Sequence, residues 1–264
     1  MIDSKNRVGC GMLEPEIGYE KSAKYYDFFA DNTDLPFFVE LAKTIETEGP
    51  VLDLGAGTGR VTYALAKAGF SVWALERSPA MLAVAKGKVA RMPPAIAERV
   101  HLIEADMSAF TLNKRFPLII LPQSFGHCLT TEQQLACLRC IRQHLTGEGI
   151  CVLDIFQGST FSQDGEFEDS PRPLDSKRTI KRLGKYEIDP TTQLICYHLQ
   201  YEIFEGDCRI EEIKEYSCAA LIYPREANLL IRLSGLSILA EYGDWKKRPY
   251  EASSKIRILL LKQS

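Results

Sequence analysis

Apolar residues along the first part of the chain recur at helical spacing. Tyr19, Ala23, Tyr26 and Ala30 stand three or four apart and predict a helix over 18–30 with one apolar face. A second helix is predicted from Asp34 as its cap, with Pro36 in the first turn and a stop at Gly49-Pro50. From there the pattern becomes one of short, unbroken apolar runs. Residues 51–54, 71–75, 100–103, 118–121 and 150–156 read as strands; 60–68, 80–90 and 130–145 read as the helices between them. Runs of Val, Ile and Leu without a polar alternate leave no wet face, which is the mark of a parallel sheet covered on both sides.

The rhythm breaks after Phe156. Residues 157–176 are rich in Gly, Ser, Asp and Pro and are predicted to form a mobile loop. Three strand-like runs follow at 178–188, 194–204 and 209–219, joined by Asp189-Pro190-Thr191 and Glu205-Gly206-Asp207. Tyr197, Leu199, Tyr201 and Ile203 alternate with His198, Gln200 and Glu202, as in an antiparallel strand with one covered face. A helix over 224–233 and strands over 236–241 and 255–261 close the chain. The expected organisation is an α/β domain made of 1–156 and 222–264, interrupted by an antiparallel β insertion at 157–221.

Composition narrows the partners. With 45% apolar and 25% charged residues in 264, the chain can fill such a core, and a net charge of −3 gives no bulk attraction for nucleic acid or an anionic membrane. The opening MIDSKNRVGC has no apolar core of a signal peptide, and no apolar run is long enough to span a bilayer, so a cytoplasmic protein is expected. Its eight cysteines are accordingly expected to be reduced thiols. Cys137 and Cys140 form a C-x-x-C with no second pair, which predicts helix-face thiols and no metal site. The basic run at Lys177, Arg178, Lys181, Arg182 and Lys185 carries no interleaved aromatics and reads as a solvated strand face. An unpaired edge of the insertion leaves a homodimer open.

The chemistry concentrates at VLDLGAGTGR, residues 51–60. A glycine-rich loop directly after the first strand of a doubly wound sheet lies where such folds bind their ligands. A dinucleotide fingerprint needs Gly at its sixth position, and Arg60 stands there instead. Other features favour S-adenosylmethionine. Glu76 ends the second strand, where a carboxylate accepts both ribose hydroxyls. Asp106 follows the third and faces the adenine amino group, Met107 offers a backbone N–H to the ring, and Met81 an apolar wall.

These residues lie within stretches that resemble the class I S-adenosylmethionine-dependent methyltransferases. The closest resemblance is to the small-molecule branch with sugar N-methyltransferases and glycine/sarcosine-type enzymes. The matching segments are SAKYYDFFA (22–30), GPVLDLGAGTGRVTYALAKAGFSVWALERSPAML (49–82), IEADMSAF (103–110), PQSFGHCLTTEQQ (122–134), IRQHLTGEG (141–149) and SILAEYGDWKKRPYEASSKIRILLLK (237–262). The resemblance implies a Rossmann-like sheet of order 3-2-1-4-5-7-6 with strand 7 antiparallel, an N-terminal helical lid, and the insertion as a substrate cap. It implies a cofactor-binding set of Tyr26, Asp53, Gly55, Ala56, Gly57, Thr58, Gly59, Arg60, Glu76, Arg77, Met81, Asp106, Met107 and Pro122. Within it Tyr26 covers the methionine end, Asp53 orients or caps the loop, and Arg60 pairs with the methionine carboxylate or lies on the surface.

For catalysis the sequence offers His127 as a base and Gln123 as a group that orients the nucleophile, both just after the fourth strand. His144 is expected to meet a helix dipole; His101 and His198 are expected to be structural. Trp245 either closes the acceptor pocket or packs on the sheet. The expected reaction is in-line transfer of a methyl group to a small-molecule acceptor, yielding S-adenosylhomocysteine. The insertion's 13 acidic against 8 basic residues lean toward an amine. A nicotinamide dehydrogenase, a non-catalytic S-adenosylmethionine-binding module and an RNA or protein methyltransferase are the alternatives.

Overall fold

A computed structural model of the chain describes residues 18–45, 49–156 and 163–264. After a 3₁₀ helix at Ala23–Phe29, the elements in order are α1 (Leu35–Thr44), β1 (Val51–Leu54), α2 (Arg60–Lys67), β2 (Val72–Glu76), α3 (Pro79–Val89), α4 (Pro94–Ala97) and β3 (Val100–Glu104). They continue with β4 (Phe116–Leu121), a second 3₁₀ helix at Phe125–His127, α5 (Thr131–His144) and β5 (Leu145–Phe156). The insertion supplies β6 (Gly165–Glu168), β7 (Arg172–Pro173), β8 (Arg178–Asp189), β9 (Leu194–Glu205) and β10 (Cys208–Ala220); α6 (Pro224–Leu233), β11 (Leu236–Tyr242) and β12 (Ile256–Gln263) complete the chain.

Seven strands form one sheet in the order β11-β12-β5-β4-β1-β2-β3. β12 runs antiparallel to both its neighbours, and β1 to β5 pair in parallel. Counting β11 and β12 as strands 6 and 7, this is the expected Rossmann-like order. β4 is apolar throughout because its alternate residues enter different cores. Ile119 and Leu121 join Leu138, Ile141 and Leu230 on the α5–α6 side. Leu118 and Ile120 join Phe37, Phe38 and Leu65 on the α1–α2 side. Trp245 belongs to that second layer, with ring centroids 5.4 Å from both Phe37 and Phe38. It packs on the sheet, in the layer of Phe37 and Phe38.

The insertion forms its own antiparallel sheet, in the order β10-β9-β8-β6 with β7 also on β8. Its inner face closes a third core of Ile180, Leu199, Tyr201 and Ile203 around Tyr25 of the first 3₁₀ helix.

Four expectations need correction. The predicted helix over 18–30 is a turn followed by a 3₁₀ helix, because Glu215 on β10 takes the backbone N–H groups of Lys21 and Ser22 and Tyr19 adopts φ 76°. Asp34 precedes α1 but its side chain makes no cap hydrogen bond; its carboxylate is held by Arg60. Part of the predicted loop at 157–176 is strand, since β6 and β7 pair with β8; residues 157–162 lie outside the described residues. Across the β6–β8 side of the sheet Lys181 and Lys185 of the basic run meet Glu168 and Glu166, and Arg182 meets Asp169. Finally, Cys196 and Cys218 form a disulfide instead of two thiols. They stand directly opposite each other on β9 and β10, Cα–Cα 4.1 Å, a register that spacing along the chain does not reveal. Cys128, Cys137 and Cys151 are buried thiols, Cys140 is half-buried and Cys208 exposed; Cys10 is outside the described residues. Among the described residues no helix is long and apolar enough to cross a membrane.

Candidate active site

The tips of β1, β2, β3 and β4 lie side by side because those strands pair in register, and each tip ends in a polar residue or a loop. The glycine loop folds back sharply. The N–H groups of Gly55 and Ala56 both donate to the Leu75 carbonyl, at 2.8 and 3.0 Å, which ties the loop to the end of β2. Gly57 N–H donates to Glu76 Oε2 and Ser78 N–H to Oε1, each at 2.7 Å, so the carboxylate is fixed with lone pairs to spare. Gly59, at φ 84°, is the residue from which α2 starts.

Two acids flank the loop at different depths. Asp53 is buried at 1% exposure; Oδ2 accepts from the Thr62 hydroxyl at 2.6 Å, and Oδ1 has no partner. Burial pushes its carboxyl up to about 6, against the Thr62 hydrogen bond and the Arg60 charge. Asp106 is half-exposed. Burial works to raise its carboxyl, but the Ser108 hydroxyl and N–H, at 2.6 and 2.7 Å, and Arg77 at 3.4 Å together hold it below the usual range. Arg60 is not a surface group: its guanidinium grips Asp34 with two nitrogens, and its side chain is 15% exposed.

The N-terminal segment covers this floor. Thr58 donates its hydroxyl to Asp27 at 2.6 Å, Lys88 bridges Asp27 and the Thr58 carbonyl, and Ser78 donates to Glu20. From the other side Tyr25 donates to Glu211 of β10 at 3.2 Å. Tyr26 is thereby held over the loop, with Tyr19 edge-on to it at 5.3 Å and Tyr19 edge-on to His127 at 6.1 Å. Burial raises the Tyr26 hydroxyl pKa, opposed by Arg60. His127 is half-buried; desolvation lowers its pKa and keeps the ring neutral, against a hydrogen bond to the Cys218 backbone.

These groups enclose a cleft of about 120 Å³. Every site residue expected from the sequence lines it except Gly59, which sets the start of α2 behind it. Gln123 and Pro122 sit on its ledge, where Gln123 N–H donates to Asp154 Oδ1 at 2.9 Å. A second cavity of about 340 Å³ shares Tyr19, Tyr26, Arg60, Gln123 and His127 with the first and opens under the inserted sheet. His144 lies elsewhere, bonded to the Cys140 carbonyl and the Leu112 N–H, in keeping with its expected place at a helix end.

Sequence reasoning missed Tyr19, Ser78, Ser108 and Asp154. Only the last carried a signal. It is an acid inside the apolar run GICVLDIF, preceded by Val-Leu as Asp53 is in VLDL.

A family model described as "Methyltransferase domain" matches residues 51–149, which span the strands and loops that build the cleft. A cypemycin N-terminal methyltransferase from Streptomyces sp is 26% identical over 262 residues, 96% of this chain and 100% of that protein. Among solved structures, the CcbJ methyltransferase from Streptomyces caelestis superposes with a TM-score of 0.77 at 23% identity, covering 92% of this chain and 96% of that one. The sugar N-methyltransferase KedS8 from Streptoalloteichus sp gives 0.71 at 17% identity, over 100% of this chain and 99% of the other. The two structures share the fold over 92% and 100% of this chain, and the domain match falls on β1 to the start of β5. Residues 51–149 therefore match a methyltransferase domain, and the chain carries the Rossmann-like fold of the methyltransferases it resembles.

Proposed function

We propose that the chain methylates a small-molecule amine, with S-adenosylmethionine in the cleft and the acceptor in the adjoining chamber. The continuity of the two cavities carries this reading. Five residues form a common wall, so a donor on the strand tips and an acceptor under the insertion meet without passing through solvent. In this reading the insertion is the substrate cap and the N-terminal segment the lid.

The residues suit the cofactor. Space over Gly57 is clear, with nothing within 4 Å of where a Cβ would stand, so a ligand can approach the backbone directly. Gly55, Ala56, Gly57 and Thr58 would cradle the methionine part, with Asp53 and Arg60 beneath. Glu76 would accept the ribose hydroxyls, while Asp106, Met107, Arg77 and Met81 surround the adenine. Tyr26 would cover the methionine end and Pro122 form the ledge. The bound cofactor supplies an electrophilic methyl on a sulfonium. The protein's part is then to hold the acceptor in line and exclude water, an arrangement that contributes about 7–11 kcal/mol when attack geometry is good. Gln123 and His127 line both cavities; in this reading Gln123 would orient the acceptor and neutral His127 could serve as a base. An amine is supported by the acid-rich insertion and by the names of two relatives as an N-terminal and a sugar N-methyltransferase.

Calorimetry with S-adenosylhomocysteine, set against NADH fluorescence, tests the cofactor. Saturable uptake of the former is expected, and Glu76→Ala should weaken it about tenfold or more by removing a charge-assisted acceptor. Unchanged affinity in that variant, or binding of NADH alone, would reject the assignment.

A further inference from the structure

The chamber under the insertion contains four charged groups, and three have protein partners. Arg60 is held by Asp34. Arg182 pairs with Asp169 at 2.7 Å and lies over the rings of Phe29 and Phe167. Asp31 turns back onto the N–H and hydroxyl of Thr33. The fourth is Asp154, at the end of β5 and 4% exposed. One oxygen accepts the Gln123 N–H; the other, Oδ2, is buried with no hydrogen-bond partner.

We propose that Asp154 is the acceptor-binding acid of this enzyme: its free oxygen takes an N–H of a cationic amine and then removes that proton. The inference rests on the reading of the two cavities as donor and acceptor sites. A buried carboxylate oxygen left without a donor is costly, and an ammonium group is the ligand that supplies both a donor and the opposite charge. The π faces of Tyr19, Tyr26 and Tyr197 in the same chamber favour a cation as well. An acceptor with a carboxylate or phosphate at this end would meet Asp154 with both arginines already engaged.

The chemistry balances. The ammonium passes a proton to Asp154 Oδ2 and becomes a neutral amine. Its lone pair then forms the N–C bond to the methyl carbon as the C–S bond breaks and leaves its electron pair on sulfur. The products are a methylated ammonium, a thioether and a protonated Asp154, which returns its proton to solvent. Burial pushes the Asp154 carboxyl up to about 7; the Gln123 N–H and the Arg60 charge oppose this, and Asp34 adds to it. His127 and Arg182 face the same space. A group in that range both accepts and releases a proton near neutrality.

Methylammonium chloride is the probe, with sodium chloride at equal ionic strength as reference. Binding is followed by NMR at the Asp154 carboxyl carbon, and calorimetry measures S-adenosylhomocysteine affinity alongside. Wild-type protein should take up methylammonium saturably in the millimolar range, and the Asp154 titration midpoint should fall as it binds. Asp154→Asn should weaken that uptake about tenfold or more while leaving S-adenosylhomocysteine affinity within about twofold. Equal methylammonium affinity in the two proteins would overturn the proposal. So would an absence of saturable uptake by the wild type, a result that does not depend on the variant folding. Failure to bind S-adenosylhomocysteine, with methylammonium uptake intact, would instead sink the cofactor reading.

Discussion

Two neighbouring glycines separate the stability of the loop from its ligand contact. Gly57 and Gly59 both have positive φ, 58° and 84°. An alanine at either costs about 1–2 kcal/mol in backbone strain. Beyond that the positions differ. A Cβ at Gly57 meets nothing within 4 Å, whereas one at Gly59 would lie 2.5 Å from Tyr63 Cζ and 2.6 Å from its hydroxyl. Tyr63 cannot step aside freely: it is 6% exposed, and its hydroxyl donates to the Ala85 carbonyl at 2.7 Å. Forcing a methyl into that contact adds about 1–3 kcal/mol of overpacking. Gly59→Ala should therefore lose about 2–5 kcal/mol in total, and Gly57→Ala only the strain. Ligand binding should rank them in reverse. The Gly57 methyl projects into the cleft, so S-adenosylhomocysteine affinity should fall about tenfold or more there, and much less at Gly59. Urea unfolding of the ligand-free variants gives the first ranking, calorimetry the second. Equal stability losses, or a larger binding defect at Gly59, would refute the reasoning.

Arg60→Ala strands the Asp34 carboxylate, which is 1% exposed, and should cost about 3–5 kcal/mol in urea unfolding; a loss below 1 kcal/mol would mean the pair is solvated. The Asp53 carboxyl, raised from 3.8 to about 6, binds its proton more tightly in the folded chain than in the unfolded one. Its contribution to stability is thus fully present below about pH 4 and lost as pH rises through 6, with Asp154 acting in the same sense up to about 7. Asp53→Asn should flatten the fall across the lower part of that window. Parallel stability–pH curves for the two proteins would argue against it.

The sheet was legible because its strands are short, mostly apolar runs and its helices keep a 3.6-residue period; either pattern survives without knowledge of neighbours. The cleft was legible for a related reason. Glu76 and Asp106 mark the ends of strands, and a parallel sheet brings strand ends together. What stayed hidden depends on contacts between distant segments. Arg60 looks like an ordinary helix-start cation until α1 brings Asp34 against it. The residues of β6 read as loop because their acids find lysines only across the β8 register. Cys196 and Cys218 are 22 residues apart, and only the pairing of β9 with β10 makes them neighbours. Asp154 passed as part of a buried strand, since nothing local says that its side chain faces a cavity.

The period of two in β9 and β10 has an evolutionary consequence. Ile195, Tyr197, Leu199, Ser217 and Ala219 face the chamber, while the intervening Cys196, His198 and Cys218 face outward. A change at any of the first five redraws the hollow without touching the strand tips that line the neighbouring cleft. Descendants of this scaffold can therefore diverge in the molecules they accommodate through a handful of positions on two adjacent strands, with the cleft at the strand tips held constant.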